Sequence, residues 1–245
     1  MKRKFLLFMM LAATIMIFGG CTAWNNQVII QASGPVVSRS FVPGDFAVFS
    51  TGGVNTVVFR QSESKSITIE MNENMFDYLE IDLNQDILYV GFVSGTGFNF
   101  ANGVRPTIYV YAPYLEGLNL SGTAGTKDWD KIIAQNFFID KSGTGNVEIA
   151  LEVDILSVDA SGTGNIELSG SANDVDIDMS GTGRIYAENL QTFNTLINIS
   201  GTARAYVSAS DNLNVTAAGT SRVRYFGNPS VTQNTSGTAS VLRAD

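Results

Sequence analysis

The chain is expected to fold as an all-β solenoid, specifically a single-stranded right-handed parallel β-helix with coils of about 18–21 residues and an irregular N-terminal third. Three observations predict this. A Ser-Gly-Thr cassette recurs seven times in the second half, starting at Ser121, Ser142, Ser161, Ser180, Ser200, Ala218 (where Ala replaces Ser) and Ser236. The steps between starts are 21, 19, 19, 20, 18 and 18 residues. A fixed period near 19 with a turn tripeptide at one phase is the pattern of coils stacked one on the next.

The second observation is a set of apolar columns in register with the cassettes. Three places before each Ser stand Leu118, Ile139, Val158, Ile177, Ile197, Val215 and Gln233; one place before stand Leu120, Lys141, Ala160, Met179, Ile199, Ala217 and Thr235. Five places after stand Thr126, Val147, Ile166, Ile185, Ala205, Val223 and Val241. Two-residue alternation places these columns on the inward face of extended strands. Helical periodicity is absent, and Val, Ile and Thr suit a pleated surface. The third observation is the cassette Gly, present in all seven copies. It fits a corner that needs positive φ or has no room for Cβ. The Thr beside it is expected to form a hydrogen-bonded ladder, one rung every ~4.8 Å. A coil of this length lacks the Leu-x-x-Leu-x-Leu frame and the Asn ladder of a leucine-rich horseshoe. Right-handed coiling is expected because parallel crossovers nearly always take that hand.

Along the chain, residues 1–20 read as a lipoprotein signal peptide. Lys2-Arg3-Lys4 is a basic leader, and Phe5 to Phe18 is an apolar run short for a bilayer. Phe18-Gly19-Gly20-Cys21 resembles the bacterial lipobox, in which the Cys is lipidated and becomes the first residue. Cys21 is the only cysteine, so it has no disulfide partner. Residues 21–35 read as a polar tether, and residues 36–245 as the β-helical domain. Its first part carries strands of looser spacing at Phe46-Ala-Val-Phe, Val57-Val-Phe, Ile67-Thr-Ile-Glu, Leu79-Glu-Ile-Asp-Leu and Ile87-Leu-Tyr-Val. Residues 94–106, rich in Gly and Asn, are expected to form a long loop before Pro106 to Tyr111 resumes as a strand.

These strands carry a family resemblance. Phe46-Ala-Val-Phe-Ser-Thr-Gly-Gly-Val-Asn-Thr-Val-Val-Phe contains Gly53-Val54-Asn55 in place of a Gly-Ile-Asn signature. Asp86-Ile-Leu-Tyr-Val, Pro106-Thr-Ile-Tyr-Val-Tyr-Ala-Pro, Leu118-Asn-Leu-Ser-Gly-Thr and Tyr225-Phe-Gly-Asn-Pro-Ser-Val follow in order. Over roughly residues 40–243 the chain resembles the head GIN domain family of putative auto-transporter adhesins. The resemblance implies a β-helical fold and a surface or periplasmic setting, and brings no catalytic residues with it.

The chain contains no histidine, which removes Ser-His-Asp and Cys-His hydrolysis and His-ligated zinc. Its formal charge is −8, and removal of Lys2, Arg3 and Lys4 with the signal makes it −11. Such an acidic chain is not expected to bind nucleic acid, which needs Lys and Arg to neutralise phosphate. Gly162-Thr163-Gly164 has neither the Lys-Ser/Thr sequel nor the following helix of a phosphate-binding loop.

Two outward columns carry chemistry. Two places before the cassettes stand Asn119, Asp140, Asp159, Asp178, Asn198, Thr216 and Asn234. Asp140, Asp159 and Asp178 would stack ~5 Å apart, where they either coordinate Ca²⁺ through oxygen or remain solvated carboxylates that keep the face soluble. Four places after each Ser the column reads Gly125, Asn146, Asn165, Arg184, Arg204, Arg222 and Ser240, with Tyr186, Tyr206 and Arg224 two places further on. Asn165, Arg184, Arg204, Arg222, Tyr186 and Tyr206 form the expected ligand-binding face, since stacked Arg can hold an acidic sugar or a partner carboxylate. The simpler alternative is that these cations offset a surplus of acid.

The expected function is that of a non-enzymatic, adhesin-like module, lipid-anchored in the bacterial outer membrane, displaying this face to a glycan or protein on either the periplasmic or the outer side. A polysaccharide lyase or hydrolase on the same scaffold, or a purely structural envelope subunit, are the alternatives. A bare solenoid end is further expected to invite pairing between copies.

Overall fold

The computed structural model describes residues 28–100 and 104–244. The signal peptide and Cys21 lie outside the described residues.

The N-terminal third interleaves parallel and antiparallel strands. β1 (Val28–Gln31), β2 (Val36–Phe41), β3 (Val48–Thr51), β4 (Thr56–Gln61) and β5 (Ser66–Asn72) lead into a 3-10 helix at Glu73–Tyr78. β6 (Leu79–Asn84), β7 (Ile87–Phe92), β8 (Thr96–Asn99) and β9 (Thr107–Ala112) follow. Antiparallel pairs β2–β5, β5–β9 and β6–β7 close this end, whereas β3–β7 and β4–β9 are parallel. Phe46, Phe49, Phe59, Ile67, Met71 and Met75 are buried beneath them. Each such side chain contributes about 1.5–3 kcal/mol of burial.

From Gly117 onward every pairing is parallel. β10 (Gly117–Leu120) and β11 (Gly125–Thr126) form the first regular coil, followed by β12 (Ile132–Gly143), β13 (Val147–Gly162), β14 (Asn165–Gly181) and β15 (Arg184–Ile199). β10 stacks on β3 below and β12 above, and the ladder continues through β13, β14 and β15. After β15 the two sides of each coil become separate strands. β16 (Arg204–Ser208), β18 (Arg222–Phe226) and β20 (Ser240–Arg243) carry one side; β17 (Asn212–Ala217) and β19 (Ser230–Thr235) carry the other. The all-β solenoid expected from the repeat is therefore the observed fold. Its three inward columns are buried from Leu118 to Val215, Leu120 to Ala217, and Val147 to Val223. At the last coil Gln233 and Thr235 replace the apolar residues, and β19 is exposed throughout.

The cassettes sit at the corners as expected, for both anticipated reasons. All seven Gly have positive φ, from 71° at Gly122 to 113° at Gly143. From Gly143 onward, a Cβ on each would fall within 2.1–2.7 Å of the carbonyl oxygen of the cassette Gly one coil below. The expected Thr ladder forms, one rung per coil. The rungs are made by the backbone: Thr144, Thr163, Thr182, Thr202, Thr220 and Thr238 each donate their N–H to the Gly carbonyl of the preceding cassette, at 2.7–3.1 Å. Where a Thr hydroxyl bonds, as at Thr123, Thr220 and Thr238, it donates to that same carbonyl and not to another Thr.

A second tight column, which the cassette pattern does not announce, lies one place further on. The residue after each of the first six cassettes is Ala124, Gly145, Gly164, Gly183, Ala203 or Ser221, and all six are buried; Ala239, after the last, is half-buried. The chain turns so closely there that a Cβ on Gly145 would lie 1.7 Å from the Ala124 carbonyl oxygen. Long side chains from the column before the cassette fold over the gaps these small residues leave. The Lys141 Nζ lies 2.6 Å, and the Met179 Cε 3.0 Å, from where Cβ atoms at Gly164 and Gly183 would stand. Lys141 is 2 % exposed and donates to the Gly143 carbonyl at 3.2 Å. Burial lowers its pKa below the usual lysine value.

Two expectations for irregular segments are corrected. The tether is not loose along its whole length, because β1 pairs in parallel with β8. Asn74 fixes the exit of β1 by donating to the Gln31 carbonyl and accepting from the Ser33 N–H, each at 2.9 Å. The segment after Val93 likewise contains β8 and is not wholly loop. The 21-residue first step is explained by an insertion at Lys127–Lys131. Trp129 Nε1 donates to the Val57 carbonyl at 2.8 Å, and Arg60 pairs with Asp128 at 2.6 Å and Asp130 at 3.4 Å.

Candidate functional site

The expected binding face forms as a grid. Because the strands are in parallel register, Asn165, Arg184, Arg204, Arg222 and Ser240 align in one outward column. Glu167, Tyr186, Tyr206, Arg224 and Leu242 align in the next. Rungs of a parallel sheet are ~4.8 Å apart, so three guanidinium groups follow the solenoid axis over ~10 Å. The Tyr186 and Tyr206 rings stack with centroids 5.2 Å apart and planes 10° from parallel. Among the described residues, no carboxylate lies within 4 Å of Arg184, Arg204, Arg222 or Arg224. Their neighbours on the grid are Asn165, Glu167, Tyr186, Tyr206, Ser240 and Leu242, and a guanidinium presents a fork of donors to a ligand.

The Asp column also forms in register, Asp140 opposite Asp159 and Asp159 opposite Asp178, with all three exposed. Stacking, however, does not bring their oxygens to a common point. Among the described residues no group of three or more acidic side chains converges to hold a metal ion. Asp178 acts on a neighbour instead. Partial burial, and then the Asp178 charge, push the Asp176 carboxyl above the usual value.

Two features of the surface lie outside the sequence expectations. A short amide ladder runs through Asp174, Asn194 and Asn212: Asn212 Nδ2 donates to Asn194 Oδ1, and Asn194 Nδ2 to Asp174 Oδ1, both at 2.8 Å. This ladder lies away from the cassettes, in a chain without a leucine-rich frame. The second is a groove of about 530 Å³ crossing four successive coils, lined by Asn173, Gln191, Thr192, Phe193, Ser208 and Asn228 among others. Phe193 stands 53 % exposed in it. Its only sequence signal is an aromatic residue at an outward phase. The groove adjoins the grid, since Arg204, Tyr206 and Ser208 are successive outward residues of β16.

The comparisons with known proteins fit this architecture. The model of a family described as putative auto-transporter adhesin, head GIN domain, matches residues 45–229. The chain belongs to the head GIN domain family. The match spans the groove, the Asp column and the grid from Asn165 to Arg224, with Ser240 and Leu242 lying beyond it. Solved structures agree in fold. A putative adhesin from Bacteroides fragilis superposes with a TM-score of 0.79 at 22 % identity, covering 87 % of this chain and 98 % of that one. A putative lipid binding protein from Parabacteroides distasonis gives 0.74 at 19 % identity, covering 89 % and 100 %. A putative adhesin from Parabacteroides merdae gives 0.69 at 22 %, covering 89 % and 100 %. No curated protein matches the chain. Among the described residues of this head GIN protein, no helix is long and apolar enough to cross a membrane.

Proposed function

We propose that this head GIN protein is an exported, lipid-anchored envelope protein that acts without catalysis, using its arginine–tyrosine grid to bind a glycan or a partner protein. The observation that carries this reading is the column Arg184–Arg204–Arg222, held in register without a carboxylate partner on an otherwise acidic chain. The adhesin-like family supports an envelope setting. Anchoring rests on Gly19-Gly20-Cys21 and the basic apolar leader before it. A non-catalytic role is supported by the adhesin description of the family.

The test is to challenge the mature chain with arrays of acidic and neutral glycans and of envelope proteins, monitoring both retention and product. Retention without cleavage, weakened by replacing Arg204 and Arg222, is the expected result. Cleavage would overturn the non-catalytic reading, and retention indifferent to those arginines would overturn the assignment of the face. Anchoring is tested separately: labelled fatty acid should enter the protein and be lost in Cys21→Ser.

A further inference from the structure

We infer that the grid and the adjoining groove together form one site for a linear anionic polysaccharide, laid obliquely across the upper coils so that acidic groups of one stretch meet the arginine column and sugar rings further along the same polymer lie in the groove beside Phe193. This rests on the binding role proposed above and names the ligand class.

Charge is the first support. The whole chain carries −8, yet residues 184–245 hold five arginines against three carboxylates, a net of +2. Four of those five arginines, Arg184, Arg204, Arg222 and Arg224, stand on the grid. The acid of the same columns lies lower in the stack, at Glu148 and Glu167, which are in register with each other. A polyanion is thus attracted to the upper coils and repelled from the lower ones.

Geometry is the second support. The arginine column crosses three coils and the groove crosses four, with the tyrosine column between them and Ser208 on the near wall of the groove. Two strand residues span ~6.8 Å, so Arg204 and Ser208 are separated by roughly 13 Å along β16. A repeating polymer suits a repeating wall, because each further sugar meets the same class of side chain one rung on. A compact acidic ligand would engage one rung and leave the others unused.

The chemistry of the groove favours sugar over an acidic protein segment. Its wall offers amides (Asn173, Gln191, Asn228) and hydroxyls (Ser171, Ser208) around one exposed aromatic ring. Amides and hydroxyls match a ligand dense in hydroxyl groups, and the ring supplies an apolar face for the C–H side of a sugar. An extended acidic peptide would need a strand edge or apolar pockets, and the grid lies on a sheet face.

The experiment measures affinity of the full-length protein in detergent for polygalacturonate, dextran sulfate and neutral dextran. Both polyanions should bind, neutral dextran far more weakly, and binding should weaken with salt. Changing Arg184, Arg204 and Arg222 together to Gln should reduce affinity about tenfold, in line with three exposed charge contacts. The corresponding triple Lys variant should stay within about threefold, and Phe193→Ala should weaken binding without altering its salt dependence. Equal binding of neutral dextran, or indifference to the Gln variant when the Lys variant is folded, overturns the inference and leaves the general binding role standing. Failure to retain any of the three polymers overturns the inference as well. If the glycan and protein arrays also stay blank, the binding role falls with it.

Discussion

The corner glycines give the sharpest test of how this sequence makes this solenoid, and Gly162→Val is the informative change. Gly162 adopts φ +104°, and a Cβ there would stand 2.2 Å from the Gly143 carbonyl oxygen and 2.9 Å from its carbon. Forcing a β-branched residue into the left-handed region costs about 1–2 kcal/mol. The clash adds to this, since the obstructed carbonyl accepts the Thr163 N–H at 3.1 Å and must shift to make room. Losing that bond in a closed corner costs a further ~1–3 kcal/mol. The expected destabilisation is therefore about 3 kcal/mol, or a fall of roughly 6–12 °C in melting temperature for a domain of this size. The assay is thermal and urea unfolding followed by circular dichroism. Two comparisons isolate the cause. Gly53 also has positive φ (+79°) but nothing within 4 Å of its Cβ position, so Gly53→Ala should cost only the backbone term, about 1 kcal/mol. Thr163→Ala, at an exposed cassette position, should stay within ~0.5 kcal/mol. Unchanged unfolding of Gly162→Val would refute the view that the corners are set by close backbone approach.

Other outcomes follow from the same geometry. Lys141→Met should stabilise the fold by about 1 kcal/mol, since it replaces a nearly unpaired buried ammonium by an apolar chain of similar length; a denaturant midpoint lower than wild type would contradict this. Because the folded pKa of Lys141 is lowered, the unfolded chain binds more protons, and wild-type stability should rise with pH between that lowered value and the ordinary 10.5. The rise should flatten in Lys141→Met. Asp176 behaves in the opposite sense: its raised folded pKa means that stability falls as pH climbs just above the ordinary carboxylate value, and Asp176→Asn should remove part of that slope in urea titrations at successive pH. Millimolar Ca²⁺ should leave the melting temperature unaltered, because Asp140, Asp159 and Asp178 stack without converging; a rise abolished by Asp159→Asn would establish a cation site instead.

Repetition makes the regular coils legible. A column such as Leu118–Ile139–Val158–Ile177–Ile197–Val215 averages over the accidents of any one coil, and parallel register then carries each outward column into space unchanged. For that reason the phase of the cassette alone aligns Arg184, Arg204 and Arg222. What the sequence conceals depends on departures from the repeat or on tertiary pairing. Docking of β1 on β8 joins residues far apart in the chain with no shared phase. The groove draws Asn173, Phe193, Ser208 and Asn228 from four coils, and these residues share no motif in the sequence. Lys141 stands in an inward column, but only the missing side chains at the neighbouring Gly positions reveal why a lysine can enter there. The expected Thr ladder runs through the backbone because the tight Gly–Thr turn presents a Gly carbonyl to the N–H of the Thr one coil on.

The central claim is that ligand meets the arginine grid, and an arginine-selective footprint tests it most directly. The protein would be treated with phenylglyoxal, with and without bound polyanion, and modification at each arginine read by mass spectrometry. Arg184, Arg204 and Arg222 should be protected by ligand, whereas Arg39, partly exposed at the opposite end of the stack, should react equally in both conditions. Protection confined to Arg39, or none at the three grid arginines while ligand is bound, would contradict the account.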